Sequence, residues 1–100
     1  MNQIVDSTCP LCLSAAKCEE HVMRRLRHYV CPTCKEVIIK NKAEKWLNEA
    51  SEQARLCHSQ AASKVAPGLV YFIVRSPNPA LPDQPSIQGQ SMKYEDAMKL

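Results

Sequence analysis

Cys9, Cys12, Cys31 and Cys34 form two Cys-Pro-x-Cys pairs with 18 residues between them. Four thiolates are soft ligands, enough to close one tetrahedral metal site and leave no position open. In each pair a tight turn aims two sulfurs and several backbone amides at one ion. Proline at the second position sets φ near −65° and removes no donor the turn needs. The rival chemistry for the same residues is redox. Cys-Pro-x-Cys occurs as a thioredoxin-like motif, but that motif follows a buried strand and opens a long helix. Neither pair has that setting. Iron would suit four sulfurs as well, but no residue demands it. One Zn2+ per chain is the expectation.

The spacing Cys-x2-Cys-x18-Cys-x2-Cys resembles the zinc-ribbon family: two knuckles, a β segment between them, and an aromatic residue, Tyr29, two positions before the second pair. The resemblance covers Cys9 to about Ile39, roughly a third of the chain. It implies structural zinc on Cys9, Cys12, Cys31 and Cys34, and membership of a group in which many proteins contact nucleic acid and others join larger assemblies. The chain departs from the family in one respect. The glycine that often follows each second cysteine, where the backbone turns left-handed, is here Leu13 and Lys35. A side chain is strained in that conformation, so a different knuckle geometry is an open alternative.

Further ligand-type residues are Cys18 and His21, then Cys57 and His58. A cross-braced two-metal site needs eight ligands in order, and these make a poor set. The plainer reading makes Cys18 a packed or half-exposed thiol and Cys57 a packing residue on a helix stripe. His21 and His58 then lie at the surface. Arg24, Arg25, Arg27, His28 and Tyr29 form the one basic cluster. On a strand the arginines would meet phosphate and Tyr29 would stack on a base. Alternation puts Arg25, Arg27 and Tyr29 on one face and Arg24 and His28 on the other, which splits the patch. Trp46 reads as a core anchor where the helix meets the ribbon, with a ligand-stacking role as the alternative. No Ser-His-Asp pattern, P-loop or Rossmann fingerprint occurs, and two glycines leave little for a phosphate cradle. The expectation is a chain without catalytic function.

Composition explains why a metal is needed. The chain has 100 residues, of which 5% are aromatic, and alanine and cysteine supply much of the 45% apolar content. A core of this size is marginal. A structural zinc supplies an apparent ~10–16 kcal/mol in small peptides, against a whole-domain stability of ~5–15 kcal/mol. Net charge is +3, and the pI of 8.6 lies below the range of dedicated nucleic-acid binders, above about 9. Residues 1–40 and 41–75 carry +2 each and residues 76–100 carry −1. No secretory signal is read in residues 1–20, where Asp6, Glu19 and Glu20 interrupt any apolar run. Leu69–Val74 is too short to cross a bilayer. A cytoplasmic location, where thiols stay reduced, is expected.

The elements that must position these residues follow from periodicity. Residues 1–8 read as a polar lead. Glu20–Val30 reads as a strand or the second arm of a hairpin, and Val37–Ile39 as another short strand. Asn41 with Glu44 resembles a capping box. Ala43, Trp46, Leu47, Ala50, Ala54, Cys57 and Ala61 then form a stripe on one helix of about 42–64, ended by Pro67 and Gly68. Leu69–Val74 reads as a buried strand. Residues 76–85, with four prolines, read as an extended linker, Ser86–Met92 as mobile, and Tyr94–Leu100 as one or two helical turns. The expected fold is small α+β: an N-terminal zinc ribbon, one long amphipathic helix and a short C-terminal strand. In domain terms, residues 1–75 form one unit (ribbon 9–40, helix 41–65, strand 69–74) and 76–100 a Pro-rich tail. The expected function is binding to a protein partner or a second copy through Ala50, Ala54, Cys57 and Ala61. Nucleic-acid binding through Arg24, Arg25, Arg27 and Tyr29 comes second and thiol redox chemistry third.

Overall fold

The computed structural model describes residues 4–76 and 86–99. Four strands run as an antiparallel meander: β1 (Ile4–Thr8), β2 (Ala15–His21), β3 (Leu26–Cys31) and β4 (Lys35–Lys40). A 3-10 turn, Val22–Arg24, links β2 to β3, and Arg25 closes it in the left-handed region at φ 55°. Helices α1 (Asn41–Glu49) and α2 (Glu52–Ser63) then cross over to β5 (Leu69–Ser76), which lies parallel to β4. Parallel neighbours need such a crossover. Strand β6 (Ser86–Lys93) pairs antiparallel with β5, and α3 (Tyr94–Met98) follows. The six strands form one mixed sheet in sequence order.

The sheet centre is buried on both faces, and its sequence says why. Val37, Ile38 and Ile39 of β4 are all 0% exposed, and Val70–Ile73 of β5 is buried throughout. Such continuous apolar runs belong to strands covered on both sides. On one face Val37, Ile39, Tyr71 and Ile73 pack with Ala43 and Leu47 of α1 and Ala62 of α2. On the other, Leu26, Ile38, Val70 and Phe72 meet Ala97 and Met98 of α3.

The layout departs from the expected ribbon, long helix and short strand. The single helix is two. Ala50 is extended (φ −76°, ψ 160°), and the Ser51 side chain caps α2 by accepting from the Ala54 amide at 3.2 Å. On an unbroken helix at 3.6 residues per turn, Ser59 would sit about 120° round the axis from Leu47. The break lets both face the sheet, Leu47 at 1% exposure and Ser59 at 5%. The expected stripe turns outward instead: Ala54, Cys57 and Ala61 are exposed and Ala50 is half-buried. Small side chains carry little driving force for burial, so the contact of α2 with the cysteine knuckles sets its rotation.

Strands also form at both ends of the chain. The polar lead contains β1, and Ser86–Met92 lies in β6 rather than being mobile. Both are edge strands held by backbone pairing, so neither needs an apolar pattern. The linker expected at 76–85 lies, apart from Ser76, outside the described residues. Gly89 has a specific role in β6. A Cβ there would collide with the Tyr71 ring and hydroxyl, so the glycine lets Tyr71 lie flat across the strand. Tyr71 in turn meets His58 Nδ1 of α2 at 3.0 Å.

Gly89→Ala is therefore expected to lower stability by about 1–3 kcal/mol, the usual range for overpacking. Pairing it with Tyr71→Ala should cost less than the sum of the two single changes. Urea unfolding of the four variants in a double-mutant cycle checks this, and strict additivity would contradict the contact.

Candidate metal centre

Both cysteine pairs are hairpin turns. The first joins β1 to β2 where Thr8 faces Ala15, and the second joins β3 to β4 where Cys31 faces Lys35. In an antiparallel meander alternate turns fall at the same end of the sheet. The 18-residue spacer is one strand out and one strand back, β2 and β3, so it returns the chain to where it left. The Cys9 amide donates to the Ser14 carbonyl and the Leu13 amide to the Cys9 carbonyl, both at 2.9 Å, which closes the first knuckle.

The four Sγ atoms all lie within 4.8 Å of one another. Cys9 Sγ is 3.8 Å from Cys34 Sγ, and Cys12 Sγ is 3.4 Å from Cys31 Sγ. A tetrahedral four-thiolate ion with metal–sulfur bonds of about 2.3 Å has sulfurs about 3.8 Å apart. The donor set and spacing therefore fit one metal ion. Each of these contacts joins opposite knuckles, whereas a Cys-x-x-Cys redox site works within one pair. Leu13 and Lys35 do adopt the left-handed backbone, at φ 63° and 65°. The knuckle geometry is kept without glycine.

The cluster is continuous with the core on the helix face of the sheet. Cys9 and Cys34 are fully buried, Cys31 is 3% exposed and Cys12 is half-buried. Burial pushes the Cys9 thiol up to about 11 and raises Cys34 as well, so without metal both stay protonated. At Cys12 burial also pushes upward, but hydrogen bonds from the Ser14 side chain and backbone outweigh it and bring the thiol down to about 7. Cys12 is the readiest thiolate at neutral pH.

Two residues invisible to the spacing argument complete the site. The Ser59 hydroxyl of α2 lies 3.0 Å from Cys34 Sγ, placed to donate to a thiolate. It comes 25 residues after Cys34, and only the helix break turns it inward. Ser14 stands two positions beyond Cys12, where tight-turn geometry does offer a signal. Lys35 Nζ reaches the Val65 carbonyl at 3.5 Å and ties the second knuckle to the chain beyond α2.

The other ligand-type residues do not join. Among the described residues the four cysteines are the one such cluster. Cys18 is buried in β2 opposite Tyr29. His21 is buried and not on the surface, with Nε2 2.7 Å from Glu19. Cys57 is exposed and unpacked, and His58 is half-buried against Tyr71.

The arginine cluster is largely used inside the molecule. Arg27 bonds Glu20 at 3.0 Å and Glu44 at 2.5 Å, and the Tyr29 hydroxyl donates to Glu44. Tyr29 is 3% exposed, so its ring offers no face to a base. Arg24 donates to the Met98 carbonyl of α3, and Arg25 stays exposed at the turn. Glu44 is drawn to the sheet instead of capping α1. Lys40 takes the N-cap position there and gives no side-chain cap bond.

No family model, no curated protein and no solved structure matches the chain.

Leu13→Gly should raise stability by about 1 kcal/mol, because it removes left-handed strain at a side chain 57% exposed. Lys35→Gly should gain less, since it also loses the Val65 contact. Denaturant midpoints of the metal-loaded proteins give the answer, and a loss at Leu13 would contradict the strain.

The pH response should have opposite signs with and without metal. The raised Cys9 and Cys34 values favour the folded metal-free chain below the free-thiol value of 9.0 and cease to help as pH climbs toward 11. Metal must displace the protons of those two thiols. Affinity therefore falls with falling pH, about tenfold per unit for each proton released. Thermal melts from pH 5 to 10, with and without chelator, should show the two slopes.

Proposed function

We propose that this chain is a zinc-stabilised binding module without catalytic function, working through protein contacts and first of all through a second copy of itself. The observation that carries the reading is the closed four-sulfur cluster. Thiolate ligands are soft and favour zinc among the metals commonly available. Four of them leave no position for water or substrate, which is the mark of a structural site and not a catalytic one. Ser59 and the buried knuckles seal it further.

The exposed stripe of α2 supports the choice of partner. Ala54, Cys57 and Ala61 recur at i, i+3 and i+7 and face outward. Small residues allow another helix to approach closely. Nucleic-acid binding through the arginine strand is less well supported, because Tyr29 is buried and Arg27 is held between two carboxylates. Redox chemistry is less well supported because the nearest sulfurs belong to different pairs.

Native mass spectrometry should find one zinc per chain. Chelation should lower the melting temperature sharply, and Cys31→Ser should do the same. Light scattering should give twice the chain mass for the wild type and a monomer for Ala54→Glu. A monomeric wild type would reject self-association but leave the metal reading intact. A chelated chain that melts at the same temperature as the metal-loaded chain would reject the metal reading.

A further inference from the structure

Beside α1 lies an open cleft of about 500 Å3 lined by Lys42, Lys45, Trp46, Glu49 and Arg75. It is separate from the cysteine cluster. Lys42, Lys45, Trp46 and Glu49 recur at i, i+3, i+4 and i+7, which puts them on one flank of α1. Arg75, near the end of β5, closes the cleft from the sheet side. The lining carries three cations and one carboxylate, a net +2.

Trp46 is the sole tryptophan and is only half-buried. A core anchor would bury its ring against the sheet. Here the packing is done by Ala43 and Leu47, both almost fully buried, while Trp46 turns to the rim. The Arg75 guanidinium carbon sits 5.6 Å from the centre of its ring. An aromatic face, a planar cation over it and two lysines one helical turn apart match what a base and its neighbouring phosphates require.

We infer that this cleft binds single-stranded nucleic acid, with one base stacked at the Trp46–Arg75 corner and the flanking phosphates on Lys42 and Lys45. Stacking on an aromatic ring contributes about 1–3 kcal/mol per base and tolerates any base. Two phosphate contacts give a shallow salt dependence, with a slope of about −1.4 in log K against log salt for single strands. Binding of this kind is weak and non-specific, which agrees with the modest net charge of +3. The site is independent of the α2 stripe, so it stands or falls separately from self-association.

Trp46 is a built-in reporter, because no other tryptophan contributes fluorescence. Titration with a deoxythymidine decamer at low salt should quench it, with the salt slope given above. Lys45→Glu and Arg75→Glu are surface changes expected to leave the fold intact. Each should weaken binding about tenfold or more, measured by anisotropy of a labelled decamer. Trp46→Phe should keep binding with a smaller loss. Lys17→Ala, on the opposite face of the sheet, should change affinity less than twofold. Absence of quenching would overturn the inference. So would equal affinity for duplex DNA, which hides its bases, or for polyglutamate, which would mark a plain docking site for an acidic protein. Insensitivity to Lys45→Glu and Arg75→Glu would overturn it as well.

Discussion

The constraint on which the structure depends is the meeting of two hairpin turns at one end of a sheet. Four sulfurs converge there because β2 and β3 carry the chain out and back. A metal bound at that point ties β1–β2 to β3–β4 by bonds far stronger than any contact available to so small a core. The knuckles lie inside the apolar layer beneath the helices, with Cys9, Cys31 and Cys34 buried among Leu11, Val37 and Ala62. The site is therefore part of the core and not an appendage. Binding an ion there would be coupled to filling the core, since the buried thiols would have to lose protons as it entered.

The helices are fastened to this base by polar contacts. Glu44 of α1 sits 7% exposed between Arg27 and Tyr29 of β3. Burial and the Glu44 carboxylate raise the Tyr29 hydroxyl well above its ordinary value, so it stays a donor. The bond to Tyr29, with the carboxylates of Glu20 and Glu44, keeps Arg27 charged. A buried carboxylate is tolerable only when paired and hydrogen-bonded, and here both conditions hold. Ser59 does the same for α2 at Cys34, and His58 with Tyr71 adds a second tie. Each helix is oriented by a polar group that finds its partner in the sheet or at the knuckles. That is why the chain accepts a break at Ala50 and Ser51.

The same economy redistributes charge. Arginines that read as a phosphate track in the sequence are partners of acids within the fold. Lys42 and Lys45, which lie outside that cluster along the chain, instead flank the one tryptophan. The surface chemistry of this protein is thus set by which cations the fold leaves unspent. It is not set by where the cations cluster along the chain.

The pairing of the four cysteines, the central strands and the existence of helix after Asn41 were legible in the sequence, because each depends on local spacing. A Cys-x2-Cys turn, a run such as Val-Ile-Ile and a period near 3.6 are properties of a few consecutive residues. The left-handed backbone at Leu13 and Lys35 was legible only as a conflict, and the two knuckle turns resolved it against the side chain. The edge strands β1 and β6, the division of the helix and the inward turn of Ser59 were not legible. Edge strands form through backbone pairing that any sequence can supply. The helix breaks where two contacts on different faces must both be made. Those contacts, Leu47 on the sheet and Ser59 on Cys34, link residues far apart in the chain, and only tertiary packing brings them together.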